Sequence, residues 1–325
     1  MKLRQFVAAS SLAAVGGSVA LTALASPAVA DLVTYCDGVG GAVTVPGDLV
    51  VAKGKSCDLT GTTVDGNVTV RSGADLVVED GTFKGTVAVA QDGYLDAVNT
   101  SVAGNVTARG AFGTYLDGST LGQNVRAVAA DGGIETGALF LYGSEVKGGL
   151  SAATGNLFAE STGVGGKVSA DGVGFADIYD SAVDGGLTVK GAAEGSVVCA
   201  SEVHGNAAYS GNSATVQIGS DGPQSSCGDT SYWGGNVAIT DNTADIHVNG
   251  NIIRGDLTAS GNDPVALKGA DNRVRGTVGG EFGEIPAAKS RASAVKGDRS
   301  AGLKQAGEQR GEDAERAAKA AGKAF

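Results

Sequence analysis

Apolar residues return along this chain at a spacing near twenty. Taking the apolar residue that follows a glycine as an anchor, the anchors are Leu49, Val68, Val87, Val106, Val125, Leu150, Val168, Leu187, Ala207, Val237, Leu257 and Val278. Four residues before each anchor stands another apolar residue, from Val45 and Val64 through to Ile253 and Val274. Two before stands glycine in every coil but one, where Gln123 replaces it. Six before, from Thr62 to Asn272, stand small polar residues, with Gly81 the one exception. A fixed period that tolerates insertions is the signature of a solenoid. Anchor motifs such as Val68-Thr69-Val70 alternate with period two, which is strand. The glycine marks a bend that a side chain would obstruct. A second alternating run follows eight to eleven residues after the anchor, as in Leu76-Val77-Val78 and Phe175-Ala176-Asp177-Ile178.

Each coil thus carries about three short strands and three corners. Stacking pairs equivalent strands in parallel about 4.8 Å apart, with valines inside and Ser, Thr and Asn stacked at one corner. The apolar positions fall at −4, 0, +2, +8 and +10 around the anchor, not at every sixth residue, which favours a right-handed over a left-handed helix. The expected fold is all-β: a single-stranded right-handed parallel β-helix of about twelve coils, a rod about 55 Å long. It occupies residues 49–285, with 31–48 as an N-terminal cap. Residues 43–282 resemble two groups in these ladder positions: the short-coil bactofilin β-helix, a polymer-forming scaffold, and secreted bacterial pectin-lyase-like β-helices. The second resemblance implies a polysaccharide lyase or glycoside hydrolase as one reading of function.

Residues 1–30 read as a secretory signal peptide: Lys2 and Arg4, an apolar stretch from Phe6 to Leu24, and Ala28-Val29-Ala30 as cleavage site. No later stretch approaches a membrane span. The expected location is secreted or extracellular, with association to the cell wall. Four cysteines, Cys36, Cys57, Cys199 and Cys227, allow three pairings; nearest-neighbour pairing, 36–57 and 199–227, suits a repeat that keeps nearby sequence nearby.

The formal charge is −11. The leader carries +2 and residues 287–325 carry +4, which leaves −17 on residues 31–286. Residues 286–325 therefore form a basic, alanine-rich tail, expected to be disordered or partly helical, an electrostatic tether to acidic wall polymers or to a neighbouring shaft.

No phosphate loop or metal-protease motif occurs, and neither a cofactor, a nucleic-acid partner nor a metal site is expected. Outward residues of the anchor strand are small and nearly uncharged, with Arg126 the single cation. His204 and His247 fall on different ladders; Asp241, Asp245, Arg254 and Asp256 surround His247 in sequence and serve the enzymatic reading. The stronger signal is an aromatic–acid pattern in the second strand: Tyr94-x-Asp96, Tyr115-x-Asp117, Phe158-x-Glu160 and Phe175-x-Asp177-x-Tyr179. Acids avoid so thin a core, so the ring two residues away shares the outer face. Two readings follow: rings stacked on one another for stability, or a stripe that binds polysaccharide. Neighbouring carboxylates would also attract calcium. The function expected is a non-catalytic structural or adhesive solenoid, with self-association and wall polysaccharide as candidate partners. Trp233 is expected in the core.

Overall fold

The computed structural model describes residues 32–285 and 299–325. The signal-peptide segment and residues 286–298 of the tail lie outside these. The shaft is an all-β, right-handed-type parallel solenoid of about thirteen coils. Its three sheets hold thirteen, thirteen and twelve strands, each coil but the last giving one strand to each sheet. Sheet A contains the anchor strands: Val68 pairs with Val87, and Val87 with Val106. Sheet B contains the second alternating run, such as Asp75–Glu79 and Tyr94–Val98. Sheet C holds two- and three-residue strands such as Thr82–Phe83.

There is one coil more than the pattern counts. Val33–Cys36, Gly38–Gly40 and Thr44–Val45 add a strand to each sheet, so residues expected as a separate cap form the first turn. The pattern misses it because the anchor position, opposite Leu49, holds Thr34, with Leu32 where the glycine would be.

The inside of the shaft is one continuous apolar core, which includes Trp233. Its indole Nε1 donates to Asn251 Oδ1 at 2.7 Å. The small polar residues six before the anchors are buried, save the half-buried Asn272, and form a ladder in which Asn251 Nδ2 donates to Asn272 Oδ1 at 2.8 Å while the hydroxyls bond mainly to backbone. Most of the hydroxyls accept from a backbone N–H one coil earlier, as Ser119 Oγ does from Thr100 N at 3.0 Å and Ser144 Oγ from Ser119 N at 3.1 Å. Six of them, from Thr100 to Ser201, donate to a carbonyl two residues back, as Thr100 does to Val98 and Ser181 to Tyr179. The corner's buried backbone groups are thereby satisfied. At Gly85, a Cβ would overlap the backbone carbonyl of Gly66 in the coil before, which explains the glycine of the repeat. The turn from sheet B to sheet C needs a left-handed residue in most coils: Gly61, Asp80, Asn99, Gly118, Gly143, Ser161, Asp180 and Ala200 occupy it.

Cys36–Cys57 and Cys199–Cys227 are disulfide-bonded, with Cα separations of 5.6 and 6.1 Å. The first joins the opening two coils inside the core; the second ties the loop that holds Cys227 to sheet B.

The tail contributes the second element type. Arg299–Ala321 form a helix, α1, which lies along the outer face of sheet B. It runs against the direction of coil growth, from the layer of Asp177 to the layer of Gly38. Its 23 residues span about 34 Å, the distance of seven coil spacings. At its end the chain adds to the free edge of sheet B: Val39 N donates to Gly322 O at 2.8 Å and Ala324 N to Val39 O at 3.0 Å. That edge of the solenoid is covered by the C-terminus. No described helix is long and apolar enough to cross a membrane.

Candidate functional site

The outer face of sheet B carries the aromatic–acid pattern, and the coil register decides how its members meet. Asp96, Tyr115, Phe140, Phe158 and Asp177 are successive partners on one ladder. Asp117, Tyr142, Glu160 and Tyr179 form the next ladder. Tyr94 lies on the preceding one between Asp75 and Gly113, and Phe175 sits beside Gly195. Rings and carboxylates therefore share ladders and do not stand in separate columns. Nineteen residues separate Asp96 from Tyr115, whereas Tyr94 and Tyr115 are two further apart and fall on different ladders. The same counting, carried through the longer coil, would have found Phe140 and Tyr142, which the motif search missed.

The side chains do face outward: they form a second apolar cluster, separate from the core, that includes Tyr94, Tyr115, Phe140, Phe158 and Tyr179. Their rings stack on one another along the rod. Tyr115–Phe140 centroids are 5.5 Å apart, and Phe140–Phe158 are 4.7 Å apart and within 16° of parallel. A sugar packs against a ring face, and here those faces meet neighbouring rings. Nor is the stripe open. Tyr94 is fully buried, Phe158, Phe175, Asp177, Tyr179 and Tyr115 are buried, Asp96 and Glu160 are partly covered, and Asp117 is exposed. The carboxylates are separated by rings, and among the described residues no three His, Cys, Asp or Glu gather as metal ligands.

What covers the stripe is α1. Its buried positions are Gly307, Gly311, Ala314 and Ala318, three or four residues apart and so on one side of the helix. A methyl group at Gly307 would overlap the Tyr115 ring. The small residues let the aromatic tips reach the helix backbone: Tyr94 OH lies 2.7 Å from Gly307 O, and Tyr115 OH donates to Leu303 O at 2.9 Å. Two arginines fasten the helix. Arg299 Nη2 meets Asp177 Oδ1 at 2.7 Å and Gln224 Oε1 at 2.8 Å, with its guanidinium 4.7 Å from the Phe175 ring centre. Arg310 Nε meets Asp75 Oδ1 at 2.8 Å and lies 5.1 Å from the Phe112 ring centre. Each guanidinium makes one contact with its carboxylate, donates a second N–H to a backbone carbonyl, of Glu194 and Asp92 respectively, and lies over a ring, contacts suited to arginine. The signal for this seat was present in the tail as glycine and alanine at helical spacing, but no apolar stripe announced it.

Burial pushes the Asp96 carboxyl up to about 6, against the opposing hydrogen bond from Tyr94; Asp117, Glu315 and Glu308 add to the rise. Tyr94 OH is also 3.0 Å from Asp96 Oδ2. Its one proton serves either the carboxyl or Gly307 O. A protonated Asp96 resolves the conflict: it donates to the Tyr94 oxygen while Tyr94 donates to the helix. Burial likewise pushes Tyr115 up to about 12.

The enzymatic candidates stay apart. His204 lies at sheet C between Asp184 and Glu202, at 3.2 and 3.4 Å, while His247 is on sheet B beside Gln217 and Leu267. Asp256 accepts from Thr277 N and Oγ1 at 2.7 and 2.9 Å, bonds that hold its carboxyl below the usual range and make it a rung between coils. Asp241 occupies a left-handed turn. Asp245 and Arg254 lie on opposite flanks of the Ile246–Ile253 segment, one before sheet B and one after sheet C. The outer face of sheet A forms a shallow trough of about 630 Å³ that carries Arg126, Lys167, Ser151 and Ser169 and no carboxylate.

No protein-family model, curated protein or solved structure matches this chain.

Proposed function

We propose that the chain is a non-catalytic shaft of the cell exterior, a stiff spacer or adhesive scaffold. The observation that carries this reading is the use made of the outer face of sheet B. The surface richest in rings and carboxylates, where a ligand would be expected, holds the chain's own helix through Arg299, Arg310, Tyr94 and Tyr115. Continuous side-chain ladders and two disulfides add to a design for rigidity, and disulfides persist in oxidising compartments. Of the two resemblances, the secreted pectin-lyase-like solenoids share that compartment. Wall polysaccharide is the partner class proposed for the adhesive role, with the cationic trough of sheet A as its open contact surface.

Incubation of the protein with pectic and wall glycans tests this. Retention without turnover is expected, weakened by Arg126→Ala with Lys167→Ala. Release of new reducing or unsaturated ends that disappears in Asp245→Asn or Arg254→Ala would replace the proposal with the polysaccharide-lyase or hydrolase reading.

A further inference from the structure

Helix α1 is seated like a ligand on a finished receptor. The three sheets close around their own core, to which the tail contributes a packing contact from Ala324. Leu303 is the one large apolar residue that α1 adds to the outer cluster. The rest of the contact is made by arginines, small residues and helix carbonyls. Gly302, Gly307 and Gly311 lie within the helix, and glycine is among the poorest helix formers. With a face of glycine and alanine, the segment has little reason to be helical away from the shaft. Docking and helix formation are thus one event.

We infer that the outer face of sheet B is a recognition surface for a basic helix with a small-residue face, held at rest by the chain's own α1 and open to the α1 of a second copy. Three features define the recognition. Asp177 and Asp75 each take an arginine, and those arginines, 299 and 310, are spaced three helical turns apart. The Tyr115 ring excludes any side chain at position 307. Tyr94 and Tyr115 donate to helix carbonyls. Charge favours the encounter in either arrangement, since residues 31–286 carry −17 and residues 299–325 carry +2. The thirteen residues between 285 and 299 reach about 45 Å when extended. The last strand of sheet B, Phe282–Glu284, lies four coil layers beyond Gly195–Cys199, near which Arg299 is bound, a distance of about 19 Å. A tether of this kind holds α1 at an effective concentration on the order of millimolar, so its own seat is favoured until the contact is loosened. Salt weakens the attraction between the acidic shaft and the basic helix, and because the two arginine pairs are largely buried and screened less, release takes high salt.

The test uses the full chain with a protease site placed between residues 286 and 298 and cut after folding. In low salt the 299–325 fragment should co-elute with the shaft. In 1 M NaCl it should leave while the strand circular dichroism persists. A labelled 299–325 peptide should then bind one to one, and the same peptide with Arg299→Ala and Arg310→Ala at least tenfold more weakly. Uncut chains bearing two different tags, mixed in 1 M NaCl at about millimolar concentration, comparable to the effective concentration of the tethered helix, and returned to low salt, should co-purify, and excess peptide should prevent this. A fragment that stays bound in salt, or whose loss unfolds the shaft, overturns the inference by making α1 an integral part of the fold. Tags that never co-purify overturn its second half, the exchange between copies. Gly307→Leu in the full chain should speed exchange with the strand signal intact; unchanged exchange counts against the proposed seat.

Discussion

Changing Asp96 to Asn should stabilise the docked helix at neutral pH. The carboxyl is raised from 3.8 to about 6 by burial beneath α1. Its folded value lies above its unfolded one, so its contribution is favourable below about pH 4 and is lost as pH rises through 6. Above pH 7 the ionised group costs about 3 kcal/mol relative to the protonated one, from the size of the shift. Asparagine imitates the protonated acid: its amide donates to the Tyr94 oxygen, which leaves the hydroxyl proton for Gly307 O. Part of the gain is offset by losing the stronger bond from Tyr94 to a carboxylate, so about 1–2 kcal/mol should remain. Hydrogen exchange of the α1 amides, corrected for intrinsic rates and taken from pH 4 to 8 in both proteins, measures it. Taking the difference between the two removes, to first order, the pH effects that both proteins share. The variant's protection should equal the parent's near pH 4 and exceed it increasingly towards pH 8. A difference that is flat with pH refutes the argument, because it would mean that Asp96 is not held protonated by its position.

Tyr209→Phe should raise the unfolding midpoint, since the Tyr209 hydroxyl is fully buried without a hydrogen-bond partner among the described residues; removing it should be worth about 1–2 kcal/mol in urea unfolding. Replacing Cys36 and Cys57 together by Ser should cost about 3 kcal/mol, seen first as faster exchange in the opening coils that the bond joins. Ser119→Ala should cost about 1–3 kcal/mol and raise exchange at the Thr100 amide, which donates to it, more than at distant coils.

The solenoid was legible in the chain because its determinants are local and repeated. Valines at the anchors, glycine two before and Ser, Thr or Asn six before make each coil the template for the next, and parallel pairing turns a fixed period into ladders without further information. The disulfide pairing followed from the same neighbourhood rule. Thr34 shows the limit: a coil whose anchor is polar disappears from the pattern, though its backbone still pairs with Leu49 and its neighbours. The aromatic stripe was half legible. Its outward direction followed from alternation, but the partners of each ring depend on coil length, and Tyr94 and Tyr115 fall out of step by two residues. The seat of α1 belongs to the tertiary structure alone. A helix with Gly307, Gly311, Ala314 and Ala318 on one side has no apolar face by itself. It acquires one only where Tyr115 and Tyr94, 188 and 213 residues before the helix carbonyls they meet, project into the space those small residues leave.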